Sequence, residues 1–209
     1  MKKALIKLVL AMAVLSGCAG TEPTRFYLLT PEANPVPVAG NIKENGLTII
    51  IGAVRLPEYL NRSQIVTRVS DNEVELGWQD RWAEPLERNF TRALTQNLEQ
   101  LLFCRCASAL TPKLPPGITH WVETDVIRMD GVLGQKAFLE VRWSVYSPGK
   151  KLLLSRKSRF VQSVKGRGYE AFIQAQSAAL FDFSREVATA IVELQRAEAP
   201  GKKETVDGR

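Results

Sequence analysis

This 209-residue chain contains a single histidine, His120. General-base and metal-ligand roles need positioned companions, so a lone histidine near the start of a strand reads as a surface or satisfied side chain. HExxH, a Gly-rich phosphate loop and a nucleophile elbow are all missing, and with them the usual supports for zinc-dependent, nucleotide-dependent and serine hydrolases. There are three cysteines. If the first is used elsewhere, the other two and one histidine cannot complete a tetrahedral structural zinc site. No run is as long as the ~20 apolar residues that span a bilayer. No basic run is long enough to suggest nucleic-acid binding. We expect no metal, no cofactor and no catalytic residue, which makes an enzyme the least expected class.

What is present begins at the amino end. Lys2 and Lys3 precede an apolar run from Ala4 to Leu15 that only Lys7 interrupts. Leu15-Ser16-Gly17-Cys18 closes it. A charged start, a short apolar stretch and small residues are the layout of a secretory signal peptide. The cysteine directly after Ser-Gly resembles the bacterial lipobox, in which the thiol is diacylated, the chain is cut before it and the new amine is acylated. Cys18 is therefore the expected lipid attachment site. More than one acyl chain makes such an anchor effectively permanent, at ~0.8 kcal/mol per buried methylene. By resemblance to Gram-negative sorting rules, Ala19 in place of Asp suggests the outer membrane, with the domain facing the periplasm. Whole, the chain has 28 basic and 22 acidic residues; without Lys2, Lys3 and Lys7 it has 25 against 22, a balance of +3.

The organisation expected is a signal peptide over 1–17, a lipidated tether over 18–24, one domain over 25–196 and a disordered polar tail over 197–209. Arg25 to Leu29 reads as a first strand and residues 30–46 as an aperiodic loop. Leu47 to Val54 suits a central strand buried on both faces. Pro57 stops it and can open a short helix. Gln64–Val69 and Glu73–Trp78 alternate as a hairpin around Ser70-Asp71-Asn72. From Ala83 to Leu102, Leu86, Phe90, Leu94, Leu98 and Leu102 form the stripe of an amphipathic helix.

Phe103 to Leu110 reads as a strand and Thr111 to Gly117 as a stiff linker. Ile118–Met129, Lys136–Tyr146 and Lys151–Val164 form a meander. Asp130-Gly131 with Gly134 supply its first turn, and Ser147 to Lys150 the second. In its middle strand Ala137, Leu139, Val141, Trp143 and Val145 face the core, while Glu140, Arg142 and Ser144 face water. A second long helix spans Tyr169 to Gln195. The fold class is an α/β (α+β) sandwich: a mixed sheet ending in an antiparallel meander, packed by two long helices on one face or both.

Several constellations stay open at this point. Glu123 and Asp125 share a strand face with Asp130 close by; they read as a solvated face rather than an acid/base pair. Cys104-Arg105-Cys106 reads as buried thiols or a local disulfide, and the bridge would need a bend in the strand. Tyr59, Leu60, Trp78 and Trp82 are placed beside loops, where aromatic residues are either partner anchors or lids of the core.

The block Ile51–Leu102 resembles the ABC-type transport auxiliary lipoproteins, the PqiC/YmbA-like family. The marks are Val54-Arg55-Leu56-Pro57-Glu58-Tyr59-Leu60-Asn61-Arg62, the Gln64–Arg68 strand, and Trp82-Ala83-Glu84-Pro85-Leu86 opening a helix. Phe26-Tyr27-Leu28-Leu29, soon after the cysteine, matches too. The resemblance covers about 18–195; Cys104 and Cys106 lie outside its pattern. It implies a non-enzymatic lipoprotein, palmitate-type acylated and anchored in the outer membrane. Its implied partner is an MCE-type periplasmic substrate-binding protein of an ABC transporter moving lipids or other hydrophobic molecules between membranes. A homo-oligomeric ring is a corollary. Arg55, Pro57, Tyr59, Leu60, Trp78 and Trp82 are the candidate docking residues. The other readings are a lipid-carrying module and a lipoprotein activator of a cell-wall enzyme.

Overall fold

The computed structural model describes residues 22–38, 46–109 and 113–198. Cys18, the signal peptide and the tail from 199 onward lie outside them. In chain order the elements are β1 (Arg25–Tyr27), β2 (Thr48–Arg55), a 3-10 turn (Glu58–Leu60), β3 (Gln64–Arg68), β4 (Val74–Trp82), α1 (Leu86–Leu102), β5 (Arg105–Ser108), β6 (His120–Val132), β7 (Lys136–Tyr146), β8 (Leu152–Ser163) and α2 (Tyr169–Glu198). Among the described residues no helix is long and apolar enough to cross a membrane.

A five-stranded sheet in the order β5-β2-β6-β7-β8 carries the domain. Its β5, β2 and β6 run parallel, and β6, β7 and β8 form the antiparallel meander. The alternation read from β7 holds: Ala137, Leu139, Val141, Trp143 and Val145 are all buried against the helices. Both helices lie on that face and touch each other. Their apolar stripes meet around Phe183, whose ring centroid is 6.3 Å from Phe90, 6.0 Å from Trp143 and 6.1 Å from Phe160. The opposite face is wet and charged, with Lys157 paired to Glu140 at 2.6 Å.

The structure departs from the sequence reading in four places. The first strand and the hairpin do not join the main sheet; they form a separate three-stranded sheet, β1-β4-β3. Short strands carry no apolar signature that says which sheet they enter. In β6, pairing runs through Asp130 and Gly131 to Val132, so the meander's first turn is confined to Leu133–Gln135, with Gly134 at φ 70°. A side chain at Gly131 would put its Cβ 2.1 Å from the Lys136 carbonyl oxygen, so glycine is what lets the strands close there. The last helix continues to Glu198, past its expected end at Gln195.

The fourth departure concerns the aperiodic loop. Its described part, 30–38, is fastened along the helices rather than loose. Asn89, fully buried in α1, accepts from the Leu29 N–H at 2.6 Å and donates to the Leu29 carbonyl at 3.2 Å. Thr30 N–H donates to Ser177 Oγ at 3.2 Å, Glu32 N–H to Asn97 Oδ1 at 3.0 Å, and Val38 N–H to the Leu101 carbonyl at 3.0 Å. Asn97 also donates to Ser184 Oγ on α2 at 3.1 Å. Two asparagines on the buried side of an otherwise apolar stripe thus supply the partners that this extended backbone lacks.

Candidate functional site

The first block that carries the family resemblance runs off the end of β2. Arg55 projects onto the wet face, where its Nε pairs with Asp125 and its Nη2 lies 3.8 Å from Glu123. The hydrogen bond to Asp125 holds the guanidinium still more firmly charged. The solvated-face reading of Glu123 and Asp125 therefore stands. Pro57 ends the strand, and its carbonyl accepts from Leu60 N–H at 2.9 Å to close the 3-10 turn. Leu60 faces the core and is 2% exposed.

Asp130 is not solvated; it has no exposure at all. The pairing of β6 with β7 slips between Val126 and Arg128, which puts Asp130 opposite Phe138 on the same sheet face as Asp125, where the 3-10 turn and β3 cover it. Its carboxylate is held by Arg68 Nη2 at 2.7 Å, Arg128 Nε at 2.6 Å and the Tyr59 hydroxyl at 3.1 Å. Burial alone would push its pKa up, but the hydrogen bonds from Arg68 and Arg128 outweigh it and hold the group below the usual range. Burial, with the Asp130 charge, pushes the Tyr59 phenol up to about 12. These residues come from the 3-10 turn, β3 and β6, so the cluster joins the small sheet to the large one. It is saturated by its own partners, and so acts as a structural joint rather than as an acid or base.

The second block begins on β4. Trp78 and Trp82 were expected beside loops; both lie on this strand, in opposite environments. Trp82 is 7% exposed and Trp78 is 82% exposed. Trp82 N–H donates to the Ser63 carbonyl at 2.7 Å. That contact brings Asn61–Ser63 against Trp82–Leu86 around a groove of about 370 Å³. The two stretches of the resemblance, separated by the hairpin in sequence, thus share one surface feature. Glu84 at its rim pairs with Arg92 at 2.7 Å and also borders a larger groove of about 600 Å³ along α1, with Arg88, Thr95 and Gln96.

The candidate docking residues therefore do not form one patch. Leu60 and Trp82 are core, Trp82 also lining the groove; Tyr59 belongs to the Asp130 joint. Arg55 lies on the wet face and Trp78 on the small sheet. Arg62, exposed on the groove wall, was within the quoted block but was not singled out.

Cys104 and Cys106 are joined as a disulfide with their Cα atoms 5.6 Å apart. That separation is shorter than the ~6.6 Å of a fully extended i, i+2 pair, which is the local bend the bridge needed; Phe103, in left-handed conformation at φ 47°, ends α1 just before it. His120 is buried, with Nδ1 3.0 Å from Thr119 Oγ1, as a satisfied side chain would be.

Two helices on one face of a five-stranded mixed sheet, with a small sheet joined at its rim, define an α+β domain already seen in crystals. Protein XCC0632 from Xanthomonas campestris, of the DUF330 family, is similar at a TM-score of 0.67 and 14% identity, covering 83% of this chain and 98% of that one. The crystal structure of an uncharacterised protein is similar at 0.66 and 19% identity, covering 81% and 99%. These likenesses concern the fold. The chain belongs to the ABC-type transport auxiliary lipoprotein component family, whose model matches residues 27–188. No curated protein matches it.

Proposed function

We propose that this chain is a lipoprotein held by Cys18 in the outer membrane, facing the periplasm. There it docks the far end of an MCE-type assembly of an ABC transport system that moves lipids or other hydrophobic molecules between the membranes. It works by binding and carries out no chemistry. The observation behind this reading is the family match over 27–188. The lipobox at Leu15–Cys18 and Ala19 after it supply the address. Tethering raises the effective concentration of the domain near its partner, so modest contact surfaces suffice. The groove between Asn61–Ser63 and Trp82–Leu86 is the docking surface we assign, because both stretches of the family resemblance border it.

The groove along α1 gives no support to a lipid-carrying role: Glu84, Arg88 and Arg92 line it, and acyl chains need an apolar sleeve. A photo-crosslinker placed at Arg62 tests the docking reading in intact envelopes. An MCE-type protein is the expected adduct. Recovery of a cell-wall enzyme, or of no MCE-type protein although the lipoprotein is at its normal level, would overturn it.

A further inference from the structure

Trp78 has no role in the docking groove, yet the chain builds a rigid platform for it. Pairing between β3 and β4 jumps from Val66↔Leu76 to Gln64↔Arg81, so Gly77–Asp80 bow out of the ladder opposite a single residue. A Cβ at Gly77 would sit 2.7 Å from the Asp80 carbonyl oxygen, so the bow closes only on glycine. Its far side is fixed by Asp80, buried, which accepts from the Tyr27 hydroxyl at 2.8 Å and pairs with Arg25 at 3.1 Å. Trp78, the crest of this bow, is 82% exposed, and at alternate positions before it Leu76 is 39% and Val74 42% exposed. A monomer gains nothing from an indole fixed in water.

The bow also marks where the tether leaves. Thr24 Oγ1 donates to Gln79 Oε1 at 2.9 Å, beside Trp78. From Cys18 to Thr24 the chain can span at most about 20 Å, and a headgroup layer is roughly 5–8 Å deep. Acyl chains on Cys18 would therefore hold this end of the domain at the bilayer. We infer that Trp78, with Leu76 and Val74, seats in the membrane interface next to the acyl anchor and sets the domain's orientation on the bilayer. An indole suits that layer, having an apolar ring and one N–H that reaches water or a headgroup. Glu75 lies between Val74 and Leu76, Asp71 and Glu73 come just before them, and all three are exposed. Seating therefore depends on indole burial, not on attraction to anionic lipid. The inference rests on the lipoprotein reading above, because the anchor is what brings the bow to the surface.

The test uses the full acylated protein in phosphatidylethanolamine–phosphatidylglycerol vesicles whose acyl chains are brominated, since bromine quenches only indoles at the membrane. Wild type should be quenched, and Trp78→Phe should lose most of that quenching. Lowering the phosphatidylglycerol share should change it little. Equal quenching in the two proteins, or none in either, while the mass of each shows acyl chains on Cys18, overturns the inference and leaves the lipoprotein reading intact. A mass without acyl chains overturns the lipoprotein reading, and the inference with it. A blue shift of Trp78 emission that follows protein concentration in detergent, with no bromine quenching in vesicles, assigns the stripe to a second copy of the chain and overturns the inference.

Discussion

The two sheets are held in place by different balances of apolar and polar contact. The five-stranded sheet has a full layer of helix on one face, and its stability comes from apolar burial around Phe183. The small sheet meets α2 at Tyr169, whose ring centroid lies 6.5 Å from that of Tyr27. It sends Ile65, Val66 and Trp82 into the same core, and charge-assisted hydrogen bonds add to this: Arg68 and Tyr59 on Asp130 tie it to the large sheet, while Tyr27 and Arg25 on Asp80 tie β1 to β4 within it. No helix layer covers its outer side, and Trp78 is left exposed there. Four positions on, Trp82 returns to the core.

This contrast can be broken from either side. Phe183→Ala removes the ring that three aromatic neighbours share and should cost about 3–5 kcal/mol in urea denaturation. Asp130→Asn leaves Arg68 and Arg128 without their charge partner and should cost about 3 kcal/mol. It should also loosen the small sheet selectively, seen as faster amide exchange in β3 and β4 than in β7.

The same substitution sharpens the comparison through pH. The folded Asp130 carboxyl lies below its ordinary value of 3.8. Its stabilisation is therefore complete above that value and is lost as pH falls through the lower folded one. Wild type should keep a constant advantage over Asp130→Asn from about pH 7 to about pH 5, and lose it only below about pH 4. In a sheet held by apolar contacts the corresponding variant, Phe183→Ala, should show no such step. The Cys104–Cys106 bridge closes a very short loop, so Cys104→Ser with Cys106→Ser should cost only about 1.5 kcal/mol. Trp78→Ala should change stability least, by under about 0.5 kcal/mol, because its ring is already in solvent. A large loss of stability in Trp78→Ala would mean that the bow depends on the indole.

Where alternation or helical spacing ran unbroken, the sequence was legible. β7 alternates without exception, and the stripe from Leu86 to Leu102 marks α1 within a few residues. What escaped were interruptions of those periods. The slip after Val126 puts Asp130 on the same sheet face as Asp125, where Tyr59 and Arg68 cover it, and nothing in the local sequence announces it. The bow at Gly77–Asp80 reads as a continuing strand, so Trp78 and Trp82 look alike. Asn89 and Asn97 resemble a polar flank of the helix until the extended segment from Leu29 to Glu32 is seen to need partners. Of the candidate site, the two flanking stretches were legible and their meeting was not, because it depends on how β3 and β4 pair.

The account depends on the sulfur of Cys18. Mass analysis of the mature amino-terminal peptide, made in the native envelope, tests it most directly. It should begin at Cys18 and carry a thioether-linked diacylglyceryl group and an amide-linked acyl chain. A peptide that begins elsewhere, or one that begins at an unmodified cysteine, would contradict the account.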